Sequence, residues 1–206
     1  MTRITKILVV SGLALMAFSA GAGTAQAEPP MFHIEGWPTK LTGTALNTTV
    51  LNVDGSSVEC STQSLTGEAT SETSSTLTVI HLWSSCKAFG FISATVNPGS
   101  CHTLWHLTSA ETAKTDIVCT KEGDAITVNA GSGICVVKIA AQPERAHVIF
   151  FNQTVGGKME FIAKQTLESV TATVNVDGFG CPLSGTGVRN NAQMPGEWTI
   201  PGATVS

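Results

Sequence analysis

The residues of this chain that could carry chemistry are few, and the sharpest group is a histidine pair. His102 and His106 are separated by three residues, and Cys101 adjoins them. On a helix that spacing sets two metal ligands on one face; on a strand both side chains also point one way. The segment CHTLWHL, rich in Thr, Leu and Trp, reads as a strand. His102, Leu104 and His106 then share one face, with Thr103 and Trp105 on the other. A solvated polar face accounts for the pair. A metal-binding module would need a third ligand, such as His81 or His147, supplied by the fold.

Other chemistries have weaker footholds. The two NVDG segments, at 52–55 and 175–178, resemble the centre of a calcium loop. A full loop needs oxygen ligands at two-residue intervals and a closing acid near the twelfth position. Val50 and Thr173 stand at the first position, and Ser61 and Ser184 at the last, so hairpin turns explain both segments better. No G-x-S-x-G nucleophile elbow occurs. Carboxylates paired across distant strands cannot be read from one sequence; Glu59 and Glu160 are the acids nearest strand interiors, and alternation places them on the exposed side. Trp37, Trp83, Trp105 and Trp198 are candidates for an aromatic binding platform, although tryptophan in a β domain more often fills the core. Asn47-Thr48-Thr49 and Asn152-Gln153-Thr154 match a glycosylation sequon, which matters only in a host that glycosylates. No catalytic or cofactor-binding residue is assigned.

Six cysteines, at 60, 86, 101, 119, 135 and 181, are the strongest chemical signal. No C-x-x-C pair occurs, which weakens a zinc reading, and an even number in an exported chain reads as disulfides. Closing modest loops between neighbouring runs favours Cys60–Cys86 and Cys119–Cys135, leaving Cys101–Cys181.

The export reading comes from the N-terminus. Arg3 and Lys6 precede an apolar run from Ile7 to Phe18, and small residues lead to Ala25-Gln26-Ala27. That is the three-part pattern of a signal peptide cut after Ala27. The apolar run is shorter than the ~20 residues of a spanning helix. No later segment reads as a transmembrane span, so the mature chain is expected to be secreted or held at the cell surface by association. Without Arg3 and Lys6 the formal charge moves from −4 to −6. A mildly acidic chain with no basic cluster argues against nucleic acid as a partner. Charged residues make up 13% of the chain, about half the usual share, so its surface must be built from Ser, Thr, Asn and Gly.

These residues have to be positioned by strands. Residues 28–40 carry three prolines and no periodicity, and read as an extended lead-in; 41–206 reads as a single β domain. Thr48–Val53, Asp54-Gly55 and Ser57–Ser61 spell a hairpin. Thr76–Trp83 is a strand with Leu77, Val79, His81 and Trp83 on one face. Strands are also expected over Phe91–Val96 and Thr103–Leu107, and over Asp116–Cys119 and Ala125–Val128, the last two joined as a hairpin through Lys121–Asp124. Continuing to Trp198–Ile200, the pattern is roughly ten to twelve short strands, an antiparallel sandwich or barrel. Four times an apolar residue, an Asn and a glycine turn precede a cysteine: Asn52 before Cys60, Asn97 before Cys101, Asn129 before Cys135 and Asn175 before Cys181. The uneven intervals favour a recurrent hairpin solution over a strict repeat.

The stretches TVLNVDGSSVEC, SSCKAFGFISATVNPGSC, DIVC and ICVVKIAAQ, with an echo in VDGFGCPLSGTG, carry a further signal. In these the chain resembles a family of secreted, cysteine-containing β proteins of actinobacteria. The resemblance implies an exported β domain with a cysteine framework, and implies no activity. The expected function is a non-enzymatic structural or surface-binding role toward a cell-envelope or extracellular ligand, with no cofactor. An exported hydrolase and a metal-binding module are the alternatives.

Overall fold

Along Thr76–Ala88 the buried residues are Leu77, Val79, His81, Cys86 and Ala88, with less buried residues between them. Side chains at a period of two give each strand one inner and one outer face, and here the inner faces close around a core. The computed structural model describes residues 28–38 and 40–206. The expected signal peptide, residues 1–27, lies outside the described residues.

The protein is all-β. Its strands are β1 (Phe32–Ile34), β2 (Leu41–Ala45), β3 (Thr49–Val53), β4 (Ser56–Glu68), β5 (Thr73–Ser74), β6 (Thr76–Ala88), β7 (Ile92–Asn97), β8 (Cys101–Ser109), β9 (Thr112–Cys119), β10 (Ala125–Ala130), β11 (Cys135–Ala140), β12 (Gln142–Val155), β13 (Lys158–Val176), β14 (Gly187–Thr199) and β15 (Ala203–Val205). Every pairing is antiparallel, and β11 and β12 both pair with β13, β2 and β3 both with β4 and β14, β7 and β8 both with β6. Two strands antiparallel to the same neighbour run in the same direction. β2 with β3, β7 with β8, β9 with β10 and β11 with β12 are therefore single staves interrupted near the middle. Together with β4, β6, β13 and β14 they make eight staves, each bonded to its neighbour in sequence. β14 returns to β2 and β3, and the barrel is closed.

The barrel, rather than the sandwich, is thus the architecture adopted, and its long staves replace the short strands expected. The hairpin expected through Lys121–Asp124 is corrected: β9 and β10 continue in one direction. Pro98-Gly99 likewise interrupts a stave, with Asn97 Oδ1 accepting from the Gly99 N–H at 2.9 Å. Asp54-Gly55 does form the expected turn, with positive φ at both residues, the geometry a two-residue hairpin requires. The fourth Asn motif opens a long loop, 177–186, before β14.

One end of the barrel is covered by a lid, in which β1 lies between β15 and β5. The N-terminal described segment, with β1 followed by a turn at 35–38, is tied down against the barrel. Phe32 and Ile34 are 1% and 2% exposed, and Phe32 meets Phe150 edge-on at 5.5 Å. The core divides in two. The lid half holds Phe32, Leu65, Leu77, Trp105, Phe150 and Trp198; the distal half is built from smaller residues such as Val53, Ala94, Val128 and Ala172, together with cysteines.

Cys60–Cys86 is bridged as expected, between residues directly opposite in β4 and β6. The other two expected bridges are corrected. Cys101 pairs with Cys119, its register partner across β8 and β9, and Cys135 pairs with Cys181. The physical reason is the stave: Cys119 precedes β10 and Cys135 follows it. A six-residue strand separates its ends by about 20 Å, whereas a disulfide needs Cα atoms within about 7 Å. Peptide mapping under non-reducing conditions should recover Cys60–Cys86, Cys101–Cys119 and Cys135–Cys181. A linkage between Cys119 and Cys135 would contradict the stave topology. Opening any one bridge by a paired Cys→Ala substitution should cost about 2–4 kcal/mol in denaturant titration.

Candidate functional site

Three regions bring chemistry-bearing residues together: the barrel waist, its outer wall and its distal rim. At the waist, between the two apolar halves, the inward positions become polar. Gln63 on β4, His81 on β6, Thr103 on β8, Thr115 on β9 and Gln165 on β13 are all buried. Their strands force them inside: at Val79–His81 and Thr103–Trp105 the two-residue alternation simply continues.

The hydrogen bonds there are partly satisfied within the protein, and the Thr115 hydroxyl has no partner. The Thr103 hydroxyl donates to the Val79 carbonyl at 3.3 Å, so at 3.0 Å from His81 Nε2 it acts as the acceptor. His81 therefore carries its proton on Nε2, and Nδ1 presents a lone pair. Trp105 Nε1 donates to Gln165 Oε1 at 3.0 Å, and Gln63 Nε2 to the Asn47 carbonyl at 2.9 Å. His81 Nδ1, Gln63 Oε1 and Trp198 Nε1 have no partner, and all three residues line one small cavity of about 10 Å³. Two acceptors and one donor are complemented by a molecule that donates two protons and accepts one, which describes water. The cavity has room for about one water molecule and no substrate.

Two indoles pack against His81, with Trp83 stacked at 5.6 Å and Trp198 tilted at 4.9 Å. The neighbours Val50, Gln63, Trp83, Thr103, Gln165, Met194, Pro195 and Trp198 carry no charge. Burial alone pulls the imidazole down from 6.5 to about 4. Trp198 reaches this place by lying over Gly196, where a Cβ would fall 1.8 Å from the indole.

On the outer wall, β8 turns His102 and His106 outward as expected, with Thr103 and Trp105 inside. His106 Nε2 contacts Asp116 Oδ2 at 3.0 Å. The other Asp116 oxygen accepts from the Glu144 N–H at 2.6 Å, and Lys114 Nζ reaches Glu144 Oε2 at 3.0 Å. This network straps β8, β9 and β12 at the break before Ala146. It does not recruit the third ligands considered: His81 is inside the barrel, and His147 is two strands from His106, beyond Lys114. Among the described residues no three His, Cys, Asp or Glu side chains form a group that could hold a metal. Beside the network, Glu144, His147, Lys164, Glu168 and Ser169 line an outer groove of about 450 Å³, formed where the β12 and β13 registers shift.

The four tryptophans do not form a platform. Trp105 and Trp198 are core residues, Trp83 is half-buried, and Trp37 is exposed in the turn after β1. A set of exposed apolar residues that sequence reasoning missed is at the distal rim. Phe179, in the loop 177–186, is 103% exposed; Phe91, in the β6–β7 turn, is 77% exposed; Val188, at the start of β14, is 60% exposed. Each phenylalanine follows a glycine with positive φ, Gly178 or Gly90, and that adjacency was the available signal.

The loop bearing Phe179 is fastened at several points. Cys181 is bridged to Cys135, Leu183 is buried, and the Asp177 N–H donates to the Ile134 carbonyl. Arg189 donates to the Ser184 and Gly185 carbonyls at 2.8 and 3.0 Å and to Asp54 Oδ2 at 2.6 Å. The Asn191 amide and the Arg189 guanidinium hold the Asp54 carboxyl below its ordinary range. Asp54, of the first NVDG segment, is thereby a latch. No family model, curated protein or solved structure matches the chain.

Two stability experiments follow from the waist. Gly196→Ala should destabilise the fold by about 1–3 kcal/mol through overpacking, measured by urea unfolding; an unchanged midpoint would mean the indole does not lie there. For His81, the unfolded chain takes up a proton below pH 6.5 and the barrel only below about 4. Stability contributed by the neutral imidazole is therefore full above pH 6.5 and lost as pH falls toward 4, by about 3 kcal/mol in all. His81→Gln should lack this component, so that unfolding curves of the two proteins at pH 7, 5 and 4 converge as the pH drops.

Proposed function

We propose that this chain is an exported, non-enzymatic β-barrel module with a surface-binding role outside the cytoplasm. On this reading a signal peptide is cut after Ala27, and the chain groups with the secreted actinobacterial β proteins it resembles. The observation that carries the binding role is the distal rim, where Phe179 and Phe91 stand exposed on fastened loops. Apolar side chains held away from a core contribute nothing to folding, and aromatic side chains are enriched at interaction surfaces. Export is supported by all six cysteines being bridged, since disulfides persist in oxidising compartments. A non-enzymatic role is supported by a waist cavity too small for a substrate.

The outer groove favours a second reading, an exported hydrolase, because Glu144, Glu168 and His147 line it together. Against it, Glu144 is engaged by Lys114 and held at its backbone by Asp116. One experiment separates the two. The chain starting at Glu28 is screened for binding to cell-envelope and extracellular ligands and for turnover of ester and glycoside substrates. Binding that weakens about tenfold in Phe179→Ser, an amount expected for one buried ring, supports the module. Turnover abolished by Glu168→Gln would establish the hydrolase instead.

A further inference from the structure

We infer that the distal rim docks end-on against an uncharged or zwitterionic lipid surface, with Phe91 and Phe179 inserted as two separate fingers. This rests on the binding role proposed above and names the partner of that same rim.

The placement of the two rings follows from the stave order. Four connections meet at the distal end: β3–β4, β6–β7, β10–β11 and β13–β14. Going round the barrel they follow one another in that sequence, so the turn carrying Phe91 and the loop carrying Phe179 face each other across the mouth. Two rings on opposite sides of a mouth do not make one contiguous patch. A single pocket on a protein partner would meet one of them, whereas a planar surface normal to the barrel axis meets both.

Charge narrows the plane's chemistry. The connecting segments read VDGSS, AFGFI, AGSGI and VDGFGCPLSGTGV. Their charged residues are Asp54, which is engaged by Arg189 and Asn191, and Asp177. No lysine stands among them, and the guanidinium of the neighbouring Arg189 is taken up by Asp54 and two loop carbonyls. Attraction to anionic headgroups needs a cluster of basic residues near the surface. The nearest lysine, exposed Lys87 one residue short of the end of β6, stands alone with Glu59 as its register partner, so the rim carries no excess of positive charge. Glycine and serine between exposed rings let the backbone approach a headgroup layer closely, and interfacial binding then scales with the apolar area buried.

Rigidity completes the case. Phe179 is fully exposed although its loop is fixed by a disulfide, by buried Leu183 and by Arg189. Phe91 directly follows Phe89 and Gly90, both of which have positive φ, and Phe89 itself packs against the distal core. The backbone that carries each ring is thus held in place.

The test is flotation of the chain starting at Glu28, whose barrel and lid are complete in the described residues, with phosphatidylcholine vesicles. The wild type should float, with little change when a fifth of the lipid is anionic or when salt is raised to 1 M. Phe91→Ser and Phe179→Ser should each lower the partition coefficient about tenfold, and the double variant about a hundredfold, with unchanged thermal unfolding. Ile149→Ser, an exposed apolar residue on the barrel wall, serves as the control and should have no effect. Flotation that requires anionic lipid, or that survives the double substitution, overturns the inference. So does a wild type that stays in solution as an end-to-end dimer dissociated by the double substitution. If the wild type ignores vesicles yet loses a screened ligand on Phe179→Ser, the lipid assignment fails while the binding role stands; if it does neither, both fail.

Discussion

Closure of the barrel is the constraint on which the rest depends. Once β14 returns to β2 and β3, the ring has no free edge, and each residue of a stave is committed to the inside or the outside. A closed ring of eight staves leaves an interior that side chains can fill. The lid half fills it with large rings, Trp105, Trp198, Phe150 and Phe32, and seals the mouth with the terminal strands. The same closure makes the waist costly to fill with polar groups. Gln63, His81, Thr103 and Gln165 remain there only because Thr103 and Gln165 accept from neighbours and Gln63 donates to a carbonyl.

The distal half meets the same demand with smaller side chains. Val and Ala predominate, and the cysteines of all three bridges lie in or against that core. Two bridges join register partners, Cys60 to Cys86 and Cys101 to Cys119, and so pin neighbouring strands that hydrogen bonds already align. The third, Cys135 to Cys181, does different work. It fixes the long loop before β14 to the start of β11, across a sequence separation of 46, and closing a longer loop removes more freedom from the unfolded chain.

What was legible in the sequence was whatever depends on local alternation. The inward and outward faces of β8 follow from CHTLWHL, and His81 falls on the face of Leu77 and Val79 without any knowledge of the fold. The Cys60–Cys86 bridge was legible because one hairpin-like excursion separates the two. What was hidden is direction. Pro98-Gly99 and Lys121–Asp124 have turn composition, but whether a chain reverses or continues after a break is settled by tertiary pairing: β7 and β8 both pair with β6, and β9 pairs with β8 and β12 while β10 pairs with β7 and β11. The two misplaced bridges are consequences of that one ambiguity. β1 was hidden for another reason: three residues give only Phe32 and Ile34 as inward positions, too few for a period. The groove was hidden because it arises from register shifts in two strands at once, at Ala146 and Val170.

The rim ties these observations to function. Its glycines relieve the backbone at the turns, yet the loops do not become slack, because the distal core and Cys135–Cys181 hold them from below. Ordering a loop at the moment of binding costs conformational entropy that must come out of the contact energy. At the rim that ordering is already done by groups set back from the exposed rings: Leu183 in the core, Arg189 against Asp54, and the disulfide. Cys135–Cys181 thus serves more than the stability of a half-core poor in aromatic residues. By fixing the segment from Asp177 to Arg189, it holds one exposed phenylalanine in place rather than on a flexible tip, which is what the binding role proposed for this rim requires.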